Sequence, residues 1–400
     1  MLETIPASDL SLQDKTEISA VREPDTIVIG AGTVGAAIAY GLARQGQRVL
    51  VLDGGDTDFR AARANFGLVW VQGKGRGMPA YQRLTRQSSD LWPGFLEELS
   101  EASGGMKIDY ERRGGLALTF GENGHQHRAD LVAQLERERI ADQGSAAGPS
   151  DLEMISRPEL ETLLPELRLG ATVSGASFCS RDGHVNPLHL LAALHAGFLR
   201  LGGALQGNTR VETIRSESGG FVVTAGQGSW RAARVVIAAG IAGAALGRQV
   251  GLDVPIFPQR GQVLVTQRVA PVLPYPCSGL RQTADGTIMI GATKEDVGED
   301  VSTSVRASGW LARKTVDISP DLGRLQLVRH WAGLRTLSPD GCPIYAQSPE
   351  WPGVFVVSCH SGVTLAAVHA AVLAPHIAAG ALPSEFGPFH HRRFNVQAAR

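Results

Sequence analysis

Two patterns of apolar residues divide this chain of 400 residues. The runs TIVI at 26–29 and VVIAA at 235–239 have no polar side, which is typical of strands in a parallel sheet covered on both faces. In contrast, QVLVTQR at 262–268 and GTIMIGAT at 286–293 alternate in the manner of antiparallel strands. The sequence therefore predicts an α/β fold (α+β overall), in which a parallel-sheet domain is interrupted by a mainly antiparallel one.

A glycine-rich turn follows the first apolar strand. Gly30, Gly32 and Gly35 stand between that strand and a run of helical spacing, TVGAAIAYGLARQG, and the next strand, RVLVLD, ends at Asp53. In a Rossmann-like unit such glycines allow a tight turn, the approach of a pyrophosphate, and close packing of helix and strand. The pyrophosphate lies on the helix N-terminus, and an acid placed like Asp53 takes the ribose hydroxyls. We therefore predict that this turn binds a dinucleotide.

The turn alone does not identify the dinucleotide, because NAD and FAD enzymes both use it. A second strand–glycine–helix unit, GVFVVSCHSGVTLAAVHAA, lies at 353–371. A single molecule that extends from Asp53 to this second turn would be long, as FAD is. The apolar stretch at 362–380 contains His369 and Pro375, so we predict a buried core helix rather than a membrane span.

Composition narrows the class of protein. Hydrophobic residues make up 43% of the chain and the formal net charge is -1, so no basic excess favours nucleic acid or an anionic membrane. The polar residues 1–23 lack the apolar core of a signal peptide. The cysteines are far apart and form no CxxC pair, which indicates neither disulfides nor a metal site and favours a reducing cytoplasm. They are Cys179, Cys277, Cys342 and Cys359.

Taken in order, seven motifs resemble those of the D-amino-acid oxidase and glycine/sarcosine oxidase family of FAD enzymes, over most of residues 25–390. They are IVIGAGTVGAAIAYGLA…VLVLD, ANFGLVW, HVNPLHLLAAL, VVIAAG, PQRGQVLVT, WAGLRTLSPDGCPI and CHSGVTLA. Within the family, ANFGLVW and SGLRQTADGTIMIGAT are most similar to flavin subunits of D-hydroxyproline dehydrogenase, opine oxidase and hydrogen cyanide synthase. The resemblance implies an FAD-binding domain at 24–75, 175–250 and 326–390, a substrate domain at 76–174 and 251–325, and a polar extension at 1–23.

The resemblance also implies which residues hold FAD. Those that match the ADP site are Gly30, Gly32, Val34, Gly35 and Asp53. Those that match the stretch around the pyrophosphate and flavin are Ala61, Ala62, Asn65, Gly67 and Leu68. The adenine and ribose contacts match Val211, Ala239 and Gly240, and the turn beneath the pyrimidine ring matches Ser361, Gly362, Val363 and Thr364. A helix that opens after Gly362 would point its positive end at the place where reduced flavin gathers negative charge.

Two positions depart from the sarcosine oxidases of this family. Those enzymes attach the flavin to a cysteine near the position of Gly333, and glycine cannot form that bond. We therefore predict non-covalent FAD. They also carry an oxygen-activating lysine where Met289 stands here, which predicts an electron acceptor other than oxygen.

Three residues are candidates for substrate binding. Arg335 lies in the motif with which family members bind a substrate carboxylate, and its planar fork suits a bidentate contact. Arg281 lies on a strand that lines the same pocket in relatives, where it binds a second polar group or a structural partner. His360 adjoins the flavin turn, where it orients substrate or caps the helix.

The predicted reaction needs no pair of carboxylates and no Ser/His/Asp set. A hydride passes from the substrate Cα to flavin N5 while the nitrogen lone pair forms an imine. The predicted substrate is D-hydroxyproline or a similar D-amino or secondary amino acid, with opine or glycine/sarcosine-type oxidation as an alternative. An NAD(P)-dependent dehydrogenase and a flavin-bearing electron-transfer subunit without its own substrate also stay open. Because the chain has no cysteine cluster for an iron–sulfur centre, any further redox centre would come from a partner subunit; a homo-oligomer is the alternative assembly.

Overall fold

The computed structural model describes residues 23–55 and 61–398. Apart from Glu23, the N-terminal extension at 1–23 lies outside the described residues. The strands in this part of the chain are β1 (Thr26–Ile29), β2 (Val49–Leu52), β3 (Leu68–Val69), β4 (Tyr110–Glu111), β5 (Gly115–Phe120), β6 (Leu152–Ser156), β7 (Val173–Cys179), β8 (Gly183–Val185), β9 (Ala204–Gln206), β10 (Thr213–Glu217), β11 (Gly220–Ala225), β12 (Gly228–Ala232), β13 (Arg234–Ile237), β14 (Phe257–Arg268), β15 (Leu280–Gln282), β16 (Thr287–Gly291), β17 (Leu327–Leu337), β18 (Ile344–Gln347) and β19 (Val354–Ser358).

The helices divide into regular α-helices and shorter turns. The α-helices are α1 (Thr33–Arg44), α2 (Ala61–Ala64), α3 (Pro79–Ala102), α4 (Gly121–Gln143), α5 (Arg157–Leu163), α6 (Pro187–Arg200), α7 (Gly243–Arg248), α8 (Val305–Ile318), α9 (Ala366–Val368) and α10 (Ala374–Ala379). A π-helical turn at His369–Leu373 joins α9 to α10. The 3-10 turns are Gly144–Ala147, Gly240–Ala242, Pro320–Arg324, Ser384–Phe389 and His391–Ala398.

A six-stranded sheet in the order β18-β19-β13-β1-β2-β9 carries the glycine turn. Its pairs are parallel except for β18 with β19. Ile27 and Ile29 of β1 pack on one face of the sheet, against β10, β11, β12 and α7, and Val28 packs on the other, against α1, α3 and α6. Both faces are therefore covered, as the unbroken apolar runs predict.

The antiparallel half of the molecule contains a sheet in the order β15-β16-β14-β17 and another in the order β5-β7-β6. These sheets share a core with α5 and α8, to which Leu116, Leu264 and Leu311 contribute. The predicted α/β fold with an antiparallel part is confirmed.

The C-terminal helical run from α9 to α10 is buried against α1. Ala366, Ala370 and Ile377 all lie in the core on the α1 face of the six-stranded sheet. This agrees with the predicted core helix. Within the residues that the structure describes, no helix is both long enough and apolar enough to cross a bilayer.

Gly41 sets how closely α1 approaches the C-terminal helix. A Cβ atom at this position would lie 2.3 Å from the carbonyl oxygen of Ala370 and 2.7 Å from the Cβ of Ala374. Neither neighbour can move by itself, because one is backbone and the other is fixed to it. Glycine at this position is therefore a packing requirement.

We expect Gly41→Ala to lower the free energy of unfolding by about 1–3 kcal/mol, because the added methyl group overpacks the contact with Ala370. Gly94→Ala on α3 is the matched control, since nothing lies within 4 Å of a Cβ there, and it should add about 0.5–1 kcal/mol through helix propensity. Urea unfolding of both variants measures the difference. A Gly41→Ala protein as stable as the wild type would contradict this packing.

Candidate functional site

The three glycines of the N-terminal turn are required for different physical reasons. Gly30 adopts a φ of +104°, and a Cβ on it would lie 2.5 Å from the carbonyl oxygen of Ala238. A Cβ on Gly35 would lie 1.9 Å from the carbonyl oxygen of Gly30, so α1 can pack this closely on β1 only with glycine there. A Cβ on Gly32 would meet only Ala62, at 3.8 Å. The space beside Gly32 is therefore not needed for packing of the described residues.

The N-terminus of α1 opens directly at this space. Its cap residue is Gly32, no side chain caps it, and no acid stands in its first turn. The first backbone N–H groups of a helix have no partner within the helix. The buried hydroxyl of Thr33 also lacks a hydrogen-bond partner among the described residues. This arrangement of unpaired donors suits an anion such as a pyrophosphate.

Asp53 is fixed to the same turn from the end of β2. Its Oδ2 atom accepts a hydrogen bond from the N–H of Ala31 at 2.7 Å, and its Oδ1 atom accepts one from Gly55 at 2.9 Å. The carbonyl oxygen of Asp53 accepts from the N–H of Thr209 at 2.7 Å, which brings the segment ending at Val211 beside it.

Ala239 and Gly240 also lie at the N-terminal turn. The N–H of Ala238 donates to the carbonyl of Ile29 at 2.9 Å, and a Cβ on Gly30 would lie 3.1 Å from the Cα of Ala239. The residues predicted for adenine, ribose and pyrophosphate are thus brought together.

The C-terminal turn lies against the start of α1. A Cβ on Gly362 would lie 3.0 Å from the side chain of Val34. The hydroxyl of Tyr81 donates to Ser361 Oγ at 2.9 Å, and Trp92 Nε1 donates to the carbonyl of Thr364 at 3.0 Å. Helix α3 therefore holds the turn that the sequence predicts beneath the flavin.

The helix after this turn begins later than predicted. It was expected to open directly after Gly362, whereas α9 starts at Ala366. The N–H of Leu365 donates to the carbonyl of Ser361, so the intervening residues form a hydrogen-bonded turn. Side-chain contacts with α3 hold this turn, and no local sequence pattern indicates them.

The stretch 61–68 connects the two turns. Asn65 Oδ1 accepts from the N–H of Gly67 at 2.7 Å, and Gly67 has a φ of +85° with no room for a Cβ against the carbonyl of Val185. The N–H of Trp70 donates to Thr364 Oγ1 at 3.1 Å. Leu68 pairs with His184 in β8. Of the other predicted residues, Ala61 and Ala62 lie on α2, and Val363 is buried in the core beside α1.

Arg335 lies on β17 with its guanidinium over the backbone of Gly261. A Cβ on Gly261 would lie 2.5 Å from Nη2 of Arg335. Gly333, two residues earlier, pairs with Gly261. The only hydrogen bond of Arg335 within residues 23–55 and 61–398 is from Nη1 to the carbonyl of Arg260 at 3.2 Å. Burial lowers the pKa of Arg335, against the attraction of Glu295.

No carboxylate of the described residues pairs with Arg335. Glu295, the acid that acts on it, is already engaged by Arg260 Nη2 at 2.8 Å and by Gln262 Nε2 at 2.9 Å. The guanidinium of Arg335 therefore has hydrogen-bond donors available for a ligand.

His360 lies within a group of cations. Burial, together with the charges of Lys74, Arg335 and Lys294, lowers the pKa of His360 to about 3. The residue is nevertheless exposed to solvent. We refer to Lys74, Lys294, Arg335 and His360 as the basic cluster.

Lys74 belongs to the basic cluster, although no sequence motif indicated it. Burial lowers the pKa of its ammonium group to about 8, and only the attraction of Cys359, Asp182 and Cys342 opposes this. In the sequence this lysine stands between two glycines, which is typical of a solvent-exposed loop. That the chain runs from here toward the C-terminal turn depends on the fold, so the local sequence could not indicate a role for the lysine.

Arg281 does not join the basic cluster. It is buried on β15, where its Nε donates to the carbonyl of Phe66 at 2.8 Å and its Nη1 lies 3.3 Å from His184 Nδ1. It pairs across the sheet with Met289, whereas Arg335 lies roughly 20 Å further along β17, six residues beyond the matching position. The register of the sheet therefore separates Arg281 from Arg335, and the contacts of Arg281 fit the structural pairing that the sequence left open as one of its two roles.

Comparison with known proteins agrees with this geometry. The FAD dependent oxidoreductase family (DAO) matches residues 25–375. The chain is 41% identical to one of the subunits of opine oxidase from Rhizobium meliloti, over 94% of this chain and 99% of that one. It is 28% identical to glycine oxidase of Geobacillus kaustophilus, over 91% and 96% of the two chains. The crystal structure of that glycine oxidase superimposes with a TM-score of 0.82 at 26% identity, covering 93% of this chain and 99% of that one.

The chain belongs to the DAO family of FAD-dependent oxidoreductases. Its cofactor is FAD rather than NAD, and the donors unpaired at the start of α1 and the space beside Gly32 fit the pyrophosphate of such a cofactor. The FAD is non-covalent, in keeping with a glycine at position 333. The NAD(P)-dependent alternative is thereby excluded.

We expect Gly32→Val to abolish FAD binding without unfolding the protein. Its φ of -67° suits valine and its Cβ meets no packed atom, but the side chain would occupy the space beside the helix N-terminus. Gly35→Val is the contrasting variant and should lose both FAD and stability. The absorbance of bound flavin and the far-UV circular dichroism measure these effects, and acid should release intact FAD from the wild type. Stoichiometric FAD in Gly32→Val would contradict this position for the pyrophosphate.

Proposed function

We propose that this protein oxidises the C–N bond of a secondary amino acid, with an opine-type substrate, in which one nitrogen joins two carboxylate-bearing carbons. The observation that supports this most strongly is Arg335, which keeps unpaired donors although it is partly buried. The 41% identity to an opine oxidase subunit supports the substrate class. D-hydroxyproline, the substrate predicted from the sequence, is the second candidate, since it also is a secondary amino acid.

In this proposal Arg335 binds the α-carboxylate through two parallel N–H···O contacts. That contact fixes one end of the substrate and orients its Cα–H bond. FAD, held by the glycine turn and Asp53, would supply the acceptor for the hydride that leaves that carbon. The nitrogen lone pair forms the C=N bond as the hydride leaves, the nitrogen loses its proton, and water then hydrolyses the imine.

His360 is suited to accept a hydrogen bond from the substrate nitrogen. With a pKa of about 3, its imidazole is neutral at ordinary pH and one ring nitrogen carries no proton. The cations around it keep it in that form. We infer that His360 binds the N–H of the substrate while Arg335 binds the carboxylate.

We propose that the FAD-binding residues are those predicted from the sequence, with Thr33 added. The proposed domains also follow the sequence prediction, but helix α3 shares its core with α1 and α6, so we assign Pro79–Ala102 to the FAD-binding domain. Arg281 is given a structural role, holding the loop at Phe66.

The relatives named as subunits of opine oxidase and hydrogen cyanide synthase support partner subunits here. The four free thiols support a cytoplasmic location.

We expect Arg335→Ala to leave FAD content unchanged while weakening the binding of a carboxylate substrate by about 2–5 kcal/mol, or roughly thirty- to several-thousand-fold. Arg335→Lys should recover only part of this loss, because an ammonium group offers no planar fork. The measurement is anaerobic bleaching of the flavin by an amino acid and by its decarboxylated amine, a poor substrate that should be unaffected.

Arg329→Ala is the control for this experiment, since Arg329 is exposed on the same strand and stacks on Trp331. It should leave both rates unchanged. If Arg335→Ala slowed flavin reduction equally for the amino acid and for its decarboxylated amine, Arg335 would support the fold or the flavin instead of binding the substrate carboxylate. A wild-type flavin that no amino acid bleaches would favour the electron-transfer subunit instead.

We expect reduced enzyme to pass electrons to a dye or quinone faster than to oxygen. Met289 occupies the position of the oxygen-activating lysine, and its sulfur accepts from Arg281 Nη2 at 2.8 Å. Reoxidation is followed by stopped-flow absorbance with each acceptor. If the reduced enzyme formed hydrogen peroxide from oxygen as fast as it reduced the dye, the protein would be an oxidase.

A further inference from the structure

The side chain of Arg335 crosses the width of β14. Arg335 lies on β17 opposite Gln259, and its Nη1 donates to the carbonyl of Arg260 at 3.2 Å. That carbonyl also accepts from the N–H of Glu295 at 3.0 Å, while the N–H of Arg260 donates to the carbonyl of Glu295 at 2.9 Å. In an antiparallel strand the N–H and C=O groups of one residue point to the same side. The carbonyl of Arg260 therefore points away from β17, and Arg335 reaches it by lying across β14.

Gly261 is the residue over which the guanidinium lies. A Cβ atom on Gly261 would have three atoms of Arg335 as its nearest neighbours, Nη2 at 2.5 Å and both Cζ and Nη1 at 2.6 Å. A point almost equally distant from these three atoms lies above the plane of the group, not beside its edge. Gly261 therefore faces the flat side of the guanidinium, and the N–H groups on the edge stay available to a planar partner such as a carboxylate.

The backbone of β14 is anchored on both sides at this point. Gly261 opposes Gly333 in the ladder with β17. Because side chains alternate along a strand, the side chain of Arg260 lies on the other face of the sheet. There it is buried, donates to Glu295 Oε2 at 2.8 Å and forms an ion pair with Asp300. The strand therefore cannot move away from a new side chain at position 261 without breaking these contacts.

Glycine is not needed at position 261 for the conformation of the strand. The φ of Gly261 lies outside the left-handed region, so alanine can adopt the same backbone conformation. Non-bonded heavy atoms pack at about 3.5–4.0 Å, so a Cβ atom would push the guanidinium away by about 1 Å. The neighbour that requires glycine here is therefore the side chain of Arg335.

We propose that Gly261 is a positioning residue, which lets the guanidinium of Arg335 lie flat across β14 with its N–H edge toward the substrate carboxylate. This inference rests on the proposed function and adds to the carboxylate site a second residue, from a different strand. Arg335 supplies the charge and the donors. Gly261 sets how deeply the planar fork lies on the sheet and in which direction it points.

The test is a double-mutant cycle of Gly261→Ala and Arg335→Ala in the holoenzyme, with N-(1-carboxyethyl)alanine as the substrate. Gly261→Ala should lower the rate constant for anaerobic flavin reduction, divided by the dissociation constant, by about 10- to 100-fold, because a displacement of about 1 Å in a positioning group has an effect of this size. In the Arg335→Ala background the same substitution should change this ratio less than about twofold, since no guanidinium is left to displace.

Two controls separate positioning from a general structural effect. Diethylamine is the same substrate without its carboxylates, and its reduction of the flavin should not change in Gly261→Ala. Gly309→Ala is the matched variant, because a Cβ at this exposed glycine of α8 meets nothing within 4 Å, and it should leave both rates and the FAD content unchanged. A loss in Gly261→Ala that is equally large for diethylamine, or equally large without Arg335, would overturn the proposal, as would no loss at all.

Urea unfolding of the same four proteins separates this inference from the proposed function. Gly261→Ala should lower the unfolding midpoint when Arg335 is present, because the added methyl group overpacks the contact. In the Arg335→Ala background it should leave the midpoint unchanged or raise it. If this coupling is found while Arg335→Ala affects N-(1-carboxyethyl)alanine and diethylamine alike, the proposed function fails and the contact stands. An equal shift of the midpoint in both backgrounds would overturn the contact itself.

Discussion

The contact between α1 and the C-terminal helical run is the constraint on which the rest of the molecule depends. Gly41 packs against Ala370, and Val34 packs against Gly362. The N-terminal and C-terminal units of the six-stranded sheet therefore contact each other at two positions along α1. Each contact is possible only because a glycine stands on one side. The glycine turn and the turn at Ser361 are thereby brought to one edge of the sheet, where a single extended cofactor can lie against both.

Helix α3 extends this constraint to the substrate side. Tyr81 and Trp92 bond the C-terminal turn, and the loop with Lys74 runs directly into the helix. A single helix therefore fixes the turn that is predicted to lie beneath the flavin. Sites built on rigid elements keep their geometry more accurately than sites built on free loops.

The local sequence pattern was sufficient to predict much of the fold and about half of the candidate site. The glycines, Asp53 and the apolar strands each show their role within a few residues of sequence, because turn geometry and burial act locally. The partners of Arg281 and the surroundings of Lys74 were not predictable in this way. Arg281 is separated from Arg335 by the register of the β14 sheet, and the groups whose charges act on Lys74 come from other parts of the chain. Such placement depends on tertiary contacts that no short motif contains.

The order of strands in the six-stranded sheet has a consequence for synthesis of the chain. Strand β1 pairs with β2 early, but its other neighbour, β13, and the strand β19 that pairs with β13 appear only after more than half of the chain has been made. Pairings this distant in sequence form slowly, because a long loop must close first. Until β19 leaves the ribosome, β13 presents an open apolar edge, and the C-terminal helical run cannot yet pack against α1. The nascent protein should therefore depend on chaperones for most of its translation, and a chain truncated before β19 should aggregate rather than form a smaller folded unit.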